Sequence, residues 1–419
     1  MEQLVIGLFL GLFVCEFIVE TVLNELNLLY VRARASASNI PEFIAGKMTA
    51  EEYAKSVQYT LAKGRFQRYA EVYGRAVTLI VLFGGLLPFL DRWGNYLTGA
   101  LPALPHANGI LFCFGVVFVY ALASLPVSLY STFGLEARFA FNKTPWRLYL
   151  IDRLKGFVLG IIIGALFLLV VFELMDNAGR TWWLWTFLFI AGFQFVTIIV
   201  YPILIAPWFN KFEPLQDGPL RDRILALGEK VGFKNSGIFT MDSSKRSGHS
   251  NAYFTGIGKA KRIVLFDTLL EQMTIEQGLA VLAHEMGHYK MKHIRRMLVV
   301  QLVFLMIALY LLSLLLEYRP FFNAFGLNPS NHAALVLFSL LSAPATFYLG
   351  PLMNGLSRRH EYEADRFAAL TLGGGKAMEE ALINLTVKNL SNLTPHPWYS
   401  AYHYSHPTAA ERIQALHGS

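Results

Sequence analysis

In "VLAHEMGHYKMKH", residues 281–293, His284 and His288 stand four apart with Glu285 directly after the first. On an α-helix, residues i and i+4 share a face, so both imidazoles can present a nitrogen to one ion. Glu285, beside them, is placed to take a proton from an attacking water. This spacing predicts metal-assisted hydrolysis.

Such a site needs a third protein ligand and one open coordination position. A third histidine six residues past the second is absent, because position 294 is Ile. His293 falls one residue off and is expected to face elsewhere on a continuous helix. A distant carboxylate is therefore the expected ligand. "SRRHEYEADRF", residues 357–367, sets Glu361 and Asp365 four apart on a second helix, which the Gly373–Gly375 run ends. Glu361 is the candidate ligand, and Asp365 the candidate acceptor for a ligand imidazole. Taken alone, with Arg358, Arg359, Glu363 and Arg366, the stretch would read as an exposed charged face.

These side chains need elements to hold them. Thr274 with Gln277 forms a capping box that starts the histidine helix, expected to run through 293. Ahead of it, 220–233 has helical spacing and "SGIFTMD", 236–242, reads as a strand. "NAYFTGIGKAKRIVLFD", 251–267, reads as two strands around a turn rich in Gly and Lys. Residues 206–296 are thus expected to form a small α/β unit. The stretch 34–62 reads as a polar loop with enough apolar residues to pack.

The rest of the chain is unlike a soluble enzyme. Of its 419 residues, 54% are hydrophobic and 16% charged, where soluble domains carry about a quarter charged. Mean hydropathy is +0.42. Seven windows are apolar enough to cross a bilayer, at 3–23, 75–90, 109–130, 156–174, 183–205, 297–316 and 333–353. The first begins Met1–Glu2 without a clear cleavage site and is read as a retained span. Cys15 and Cys113 both lie in apolar runs, which excludes a disulfide framework and a thiolate metal site. The net charge of +7 is scattered over short loops, which points to membrane topology and excludes a nucleic-acid partner.

Arg32, Arg34, Lys47, Lys55, Lys63, Arg65, Arg68 and Arg75 follow the first span, and Arg138, Lys143, Arg147, Arg153 and Lys155 follow the third. The connections after spans 2, 4 and 6 carry only Arg92, Arg180 and Arg319. The positive-inside rule then puts the N-terminus outside and the C-terminus in the cytoplasm. The expected organisation is five spans in 1–205, a cytoplasmic catalytic segment 206–296, two spans in 297–353 and a cytoplasmic segment 354–419. Spans 6 and 7 form a hairpin that returns the chain to the side of the histidine motif, so Glu361 can meet it.

Several further stretches accompany these motifs: "SNAYFTG" at 250–256, "FGLEARFAFNKTPWRLYLIDRLKG" at 133–156, "LIAPWFNKFEPL" at 204–215 and "SHPTAAERI" at 405–413. With "HEMGH" at 284–288 and "SRRHEYEAD" at 357–365, they resemble the integral-membrane CAAX prenyl endopeptidase family of gluzincin metalloproteases. The resemblance covers nearly the whole chain. It implies a predominantly α polytopic membrane protein, in which seven transmembrane helices enclose a water-filled chamber. A small cytoplasmic zincin-like α/β domain would carry the site. Glu16 and Glu20, four apart in the first span, fit a wall that faces water.

By the same resemblance His284, His288 and Glu361 would hold one Zn2+, and Glu285 would be the general base. Asn251, Ala252 and Tyr253 would pair with the substrate backbone. His406 and Arg412 would contact substrate or stabilise the oxyanion. Partners would be the bilayer and peptide or protein substrates, prenylated if the family's specificity transfers. The chain is shorter than eukaryotic members, and "ALHGS" carries no lysine-based retrieval signal, which favours a bacterial inner membrane. A general quality-control protease of the membrane is the nearest alternative. A seven-span transporter or receptor is a remote one.

Overall fold

The computed structural model describes all residues except 37–39, 100–104, 234–236, 256–261 and 419. The chain opens with α1 (Glu2–Ala33), α2 (Ala50–Phe83), α3 (Leu86–Gly99), α4 (Ala107–Leu129), α5 (Trp146–Asn177) and α6 (Trp182–Val200). A mixed unit follows, with β1 (Phe212–Pro214), α7 (Pro219–Val231), β2 (Ile238–Met241), β3 (Ala252–Thr255), β4 (Arg262–Phe266), α8 (Asp267–Gln272) and α9 (Ile275–Lys290). Next come α10 (His293–Leu315), α11 (Arg319–Asn323), α12 (Asn331–Phe347) and α13 (Gly350–Leu372). The chain closes with α14 (Lys376–Lys388), α15 (Pro397–His403) and α16 (Ala409–His417).

Five helices among the described residues are long and apolar enough to span a membrane: Glu2–Ala33, Ala107–Glu136, Trp146–Asn177, Gly179–Trp208 and His293–Leu315. Two bent pairs, α2 with α3 at 57° and α12 with α13 at 63°, raise this to seven if each counts as one span. The protein is thus a mostly helical membrane protein with five to seven candidate spans. The windows expected at 75–90 and 333–353 run across these two bends. Gly85, at φ +76°, ends α2. Averaged hydropathy passes over such a break. The stretch 34–62 also differs from expectation, because α2 already starts at Ala50 behind a capping box of Thr49 and Glu52.

Only 6% to 17% of the residues in the apolar windows are buried. Glu16 and Glu20 of the first span both lie close to polar groups on other elements. Glu16 lies 3.1 Å from Arg75 on α2, and Glu20 lies 3.3 Å from His403 on α15. Glu20 is buried, so it packs between elements where a water-facing wall was expected.

The four strands form one sheet in the order β1-β2-β4-β3, in which β2 and β4 are parallel and the outer pairs antiparallel. The expected 251–267 hairpin is therefore β3 and β4, while its turn lies outside the described residues. Ile263 and Leu265 of β4 point into a core shared with Leu279, Ala280 and Ala283 of α9. Ile44 and Tyr53 from the N-terminal part and Ala368 of α13 join the same core. One apolar cluster therefore fixes α9 against both the sheet and α13.

α9 begins as expected, with both capping-box bonds formed between Thr274 and Gln277. It does not run through 293. Lys292 takes the left-handed conformation at φ +62°, and His293 starts α10. α13 ends at Gly373, φ +80°, as the glycine run predicts.

Candidate metal centre

The site lies where α9 crosses α13, and Gly287 permits the crossing. A Cβ at this position would lie 3.1 Å from Ala364 Cα and 3.2 Å from Ala364 O. Backbone atoms give way less readily than a flexible side chain, so the close approach favours glycine. It brings Glu361, one turn before Ala364, to the histidine face of α9.

His288 Nε2 is 3.1 Å from Glu361 Oε1, and His284 Nε2 is 3.4 Å from Glu361 Oε2. The two Nε2 atoms are 3.1 Å apart. One ligand atom from each of the three residues lies within 4.8 Å of the others, and this is the one such group among the described residues. His284 and Glu361 are buried, at 5% and 3% exposure.

The polar surroundings of His284 fit a cation. His284 Nδ1 lies 2.7 Å from Asp365 Oδ1, as expected for that carboxylate. A carboxylate at this distance accepts a hydrogen, so the proton sits on Nδ1 and the Nε2 lone pair faces His288 and Glu361. Burial pushes the His284 imidazole down, but its bonds to Asp365 and Glu361 outweigh that and raise it to about 9, so the pocket favours positive charge at this ring, as a second proton or as a metal ion in its place at Nε2. Glu361 Oε2 is buried without a hydrogen-bond partner. An orphaned buried carboxylate oxygen facing imidazole nitrogens is a donor set suited to a metal ion.

Glu285 is half-buried and, among the described residues, has no hydrogen-bond partner. Burial raises its carboxyl above the ordinary value of 4.5. An unengaged carboxylate beside the ligand group is free to exchange a proton.

Arg412 on α16 sits behind the ligands. Its Nε and Nη2 donate to Asp365 Oδ2 and Oδ1 at 2.7 and 2.6 Å, and Nη1 lies 3.5 Å from Glu361 Oε2. The side chain is 11% exposed. Two of its nitrogens are thus engaged by Asp365, a partner not foreseen beside the expected contact with substrate or an oxyanion. His406 differs: its side chain is 64% exposed, with Nε2 3.4 Å from Glu361 Oε1. It borders a cavity of about 660 Å³ that Tyr399, His403, Tyr404 and Arg412 also line.

Ala252 and Tyr253 open β3, an edge strand of the sheet, with Asn251 directly before it, and α9 packs against this strand. The inner side of β3 is taken by β4, with Ala252 opposite Leu265 and Tyr253 opposite Val264.

His293 is a residue whose place was not foreseen. The turn at 291–292 swings it back, so its Nδ1 lies 3.0 Å from His288 Nδ1 instead of facing elsewhere. Its Nε2 meets Glu363 Oε2 at 3.0 Å.

Two family profiles cover most of the chain. The profile described as CAAX prenyl protease N-terminal, five membrane helices, matches 30–211, and that of peptidase family M48 matches 214–419. The chain is 36% identical to CAAX prenyl protease 1 of Saccharomyces cerevisiae over 91% of this chain and 89% of that one. The chain belongs to peptidase family M48.

It is also 31% identical to the CAAX prenyl protease 1 homolog of Homo sapiens, across 92% of this chain and 90% of the relative. The crystal structure of S. mikatae Ste24p superposes with a TM-score of 0.91 at 32% identity, covering 99% of this M48 chain and 98% of its own. The family implies a metal in this M48 peptidase, and the group of two histidines and a glutamate is suited to hold one.

Proposed function

We propose that this M48 peptidase is a zinc-dependent endopeptidase that cleaves at the membrane face and releases the C-terminal tripeptide of prenylated CAAX substrates. The observation that carries this reading is the convergence of His284, His288 and Glu361 beside the unengaged Glu285. The names of relatives that align across nearly the whole chain supply the substrate class.

His284, His288 and Glu361 are the proposed zinc ligands, a donor set of two imidazoles and one carboxylate that leaves a coordination position open. When bound, zinc supplies Lewis acidity toward water and the scissile carbonyl. Glu285 takes the proton of the attacking water and returns it to the leaving amine. Asp365 holds the His284 ring, and Arg412 holds Asp365. His406, exposed beside Glu361, is the proposed contact to substrate or to the developing oxyanion.

The substrate chain is proposed to add to the outer side of β3 at Asn251–Tyr253. Main-chain bonds there would read an extended peptide whatever its side chains. The basic connections after the first and third spans support a cytoplasmic side for this machinery.

The test compares one CAAX peptide with and without its farnesyl group, using purified full-length protein. Cleavage confined to the farnesylated peptide supports the proposal. Equal cleavage of both would replace it with general proteolysis at the membrane, and cleavage of neither would refute it.

A further inference from the structure

His284 is held by a carboxylate, while the other imidazole is held through a second histidine. His288 Nδ1 lies 3.0 Å from His293 Nδ1, and His293 Nε2 lies 3.0 Å from Glu363 Oε2. Arg296 Nη1 and Arg359 Nε approach the Glu363 carboxylate at 3.5 and 3.6 Å. His293 is 2% exposed, and its ring stacks on that of His360 with centroids 4.1 Å apart and planes at 11°. Its orientation is thus fixed on every side.

The protons can be assigned along this row. A carboxylate between two guanidinium groups is ionised and can only accept, so His293 Nε2 is the donor. A neutral His293 then has a bare Nδ1. Two ring nitrogens 3.0 Å apart share one hydrogen, so His288 Nδ1 carries it. On the ligand reading His288 Nε2 is left bare like His284 Nε2, 3.1 Å away, and with Glu361 Oε1, also 3.1 Å away, these lone pairs converge where a cation, not a shared hydrogen, would satisfy them.

We infer that His293 and Glu363 are positioning residues that set the tautomer and ring plane of His288 for metal binding. The inference rests on the reading of His284, His288 and Glu361 as ligands. It also gives the break after α9 a purpose. In an unbroken helix, position 293 would be rotated about 140° from 288 and could not reach it. The left-handed Lys292 turns the first residue of α10 back over the last turn of α9. Lys292, without a glycine's tolerance of that conformation, marks a turn the structure maintains against its local preference.

The site therefore has two arms. Asp365 buttressed by Arg412 serves His284, and His293 buttressed by Glu363 serves His288. Outer partners of ligand imidazoles commonly govern metal affinity by about 10- to 100-fold.

The test uses purified full-length protein in detergent and the variants His293→Leu, His293→Asn and Glu363→Gln. Zinc affinity is read by competition with a chromogenic chelator, and ligand geometry by the visible absorption of Co2+ in the site. His293→Leu should weaken zinc binding about 10- to 100-fold and alter the Co2+ spectrum. His293→Asn, whose amide oxygen can accept near the place of Nδ1, should recover most of both, with Glu363→Gln between them. Wild-type affinity and spectrum in His293→Leu would overturn the inference, as would equal losses in the Leu and Asn variants, which indicate packing alone. If His293→Leu fails to fold, Glu363→Gln decides: unchanged affinity and spectrum overturn the inference, and a loss of both in a folded protein supports it. A wild-type protein that takes up neither ion would overturn the ligand reading itself.

Discussion

Arg412 grips Asp365 with two nitrogens at 2.7 and 2.6 Å, and Asp365 in turn reaches His284 Nδ1 at 2.7 Å. Arg412, on α16, therefore orients a residue on α9 through α13. The bidentate fork suits arginine and not lysine.

Arg412→Ala should leave two buried carboxylates without their cation, a loss of about 3–5 kcal/mol. Thermal unfolding should shift down, and zinc affinity should fall with it. Arg412→Lys should restore charge but only part of either property. Wild-type zinc affinity in a folded Arg412→Ala protein would show that α16 does not support the site.

Gly287 should be sensitive to any side chain, since a Cβ there meets the Ala364 backbone at 3.1 Å. Gly287→Ala is expected to cost about 1–3 kcal/mol through overpacking and to separate Glu361 from the histidines. Gly278→Ala, on the same helix with nothing within 4 Å of its Cβ, should stabilise by about 0.5–1 kcal/mol. The two melting curves should move in opposite directions; a shared direction would refute the close-approach account.

Burial raises the Glu285 carboxyl, and a general base must be ionised to act. Activity should therefore be present at high pH and be lost as pH falls through a value above 4.5, the ordinary one. The measurement is kcat/KM against pH, with zinc content checked at each point to separate this from loss of metal. An acid limb below 4.5 with metal retained would contradict the environment assigned to Glu285.

The metal centre was legible where its signals are local. His284, Glu285 and His288 follow from helical spacing behind the Thr274–Gln277 box, and Glu361 with Asp365 from spacing ahead of the Gly373 stop. What was lost are breaks that averaging conceals. The bends after Phe83 and Phe347 fall inside apolar windows, although Gly84–Gly85 and Gly350–Pro351 mark both in the sequence. "KMKHIRRM" carries no glycine or proline, so nothing local announces the turn at Lys292. Without it, His293 projects away from His288. Arg412 was found through its motif, but its partner could not be read locally, because Asp365 lies 47 residues away in sequence.

The central claim is that Glu285 performs the proton transfer at a site whose metal is held by other residues. It is tested most directly by measuring farnesylated-peptide cleavage and zinc content on the same preparations of wild-type and Glu285→Gln protein. The account predicts equal zinc in both and cleavage reduced at least about 100-fold in the variant. Undiminished cleavage by Glu285→Gln with its zinc in place would contradict it.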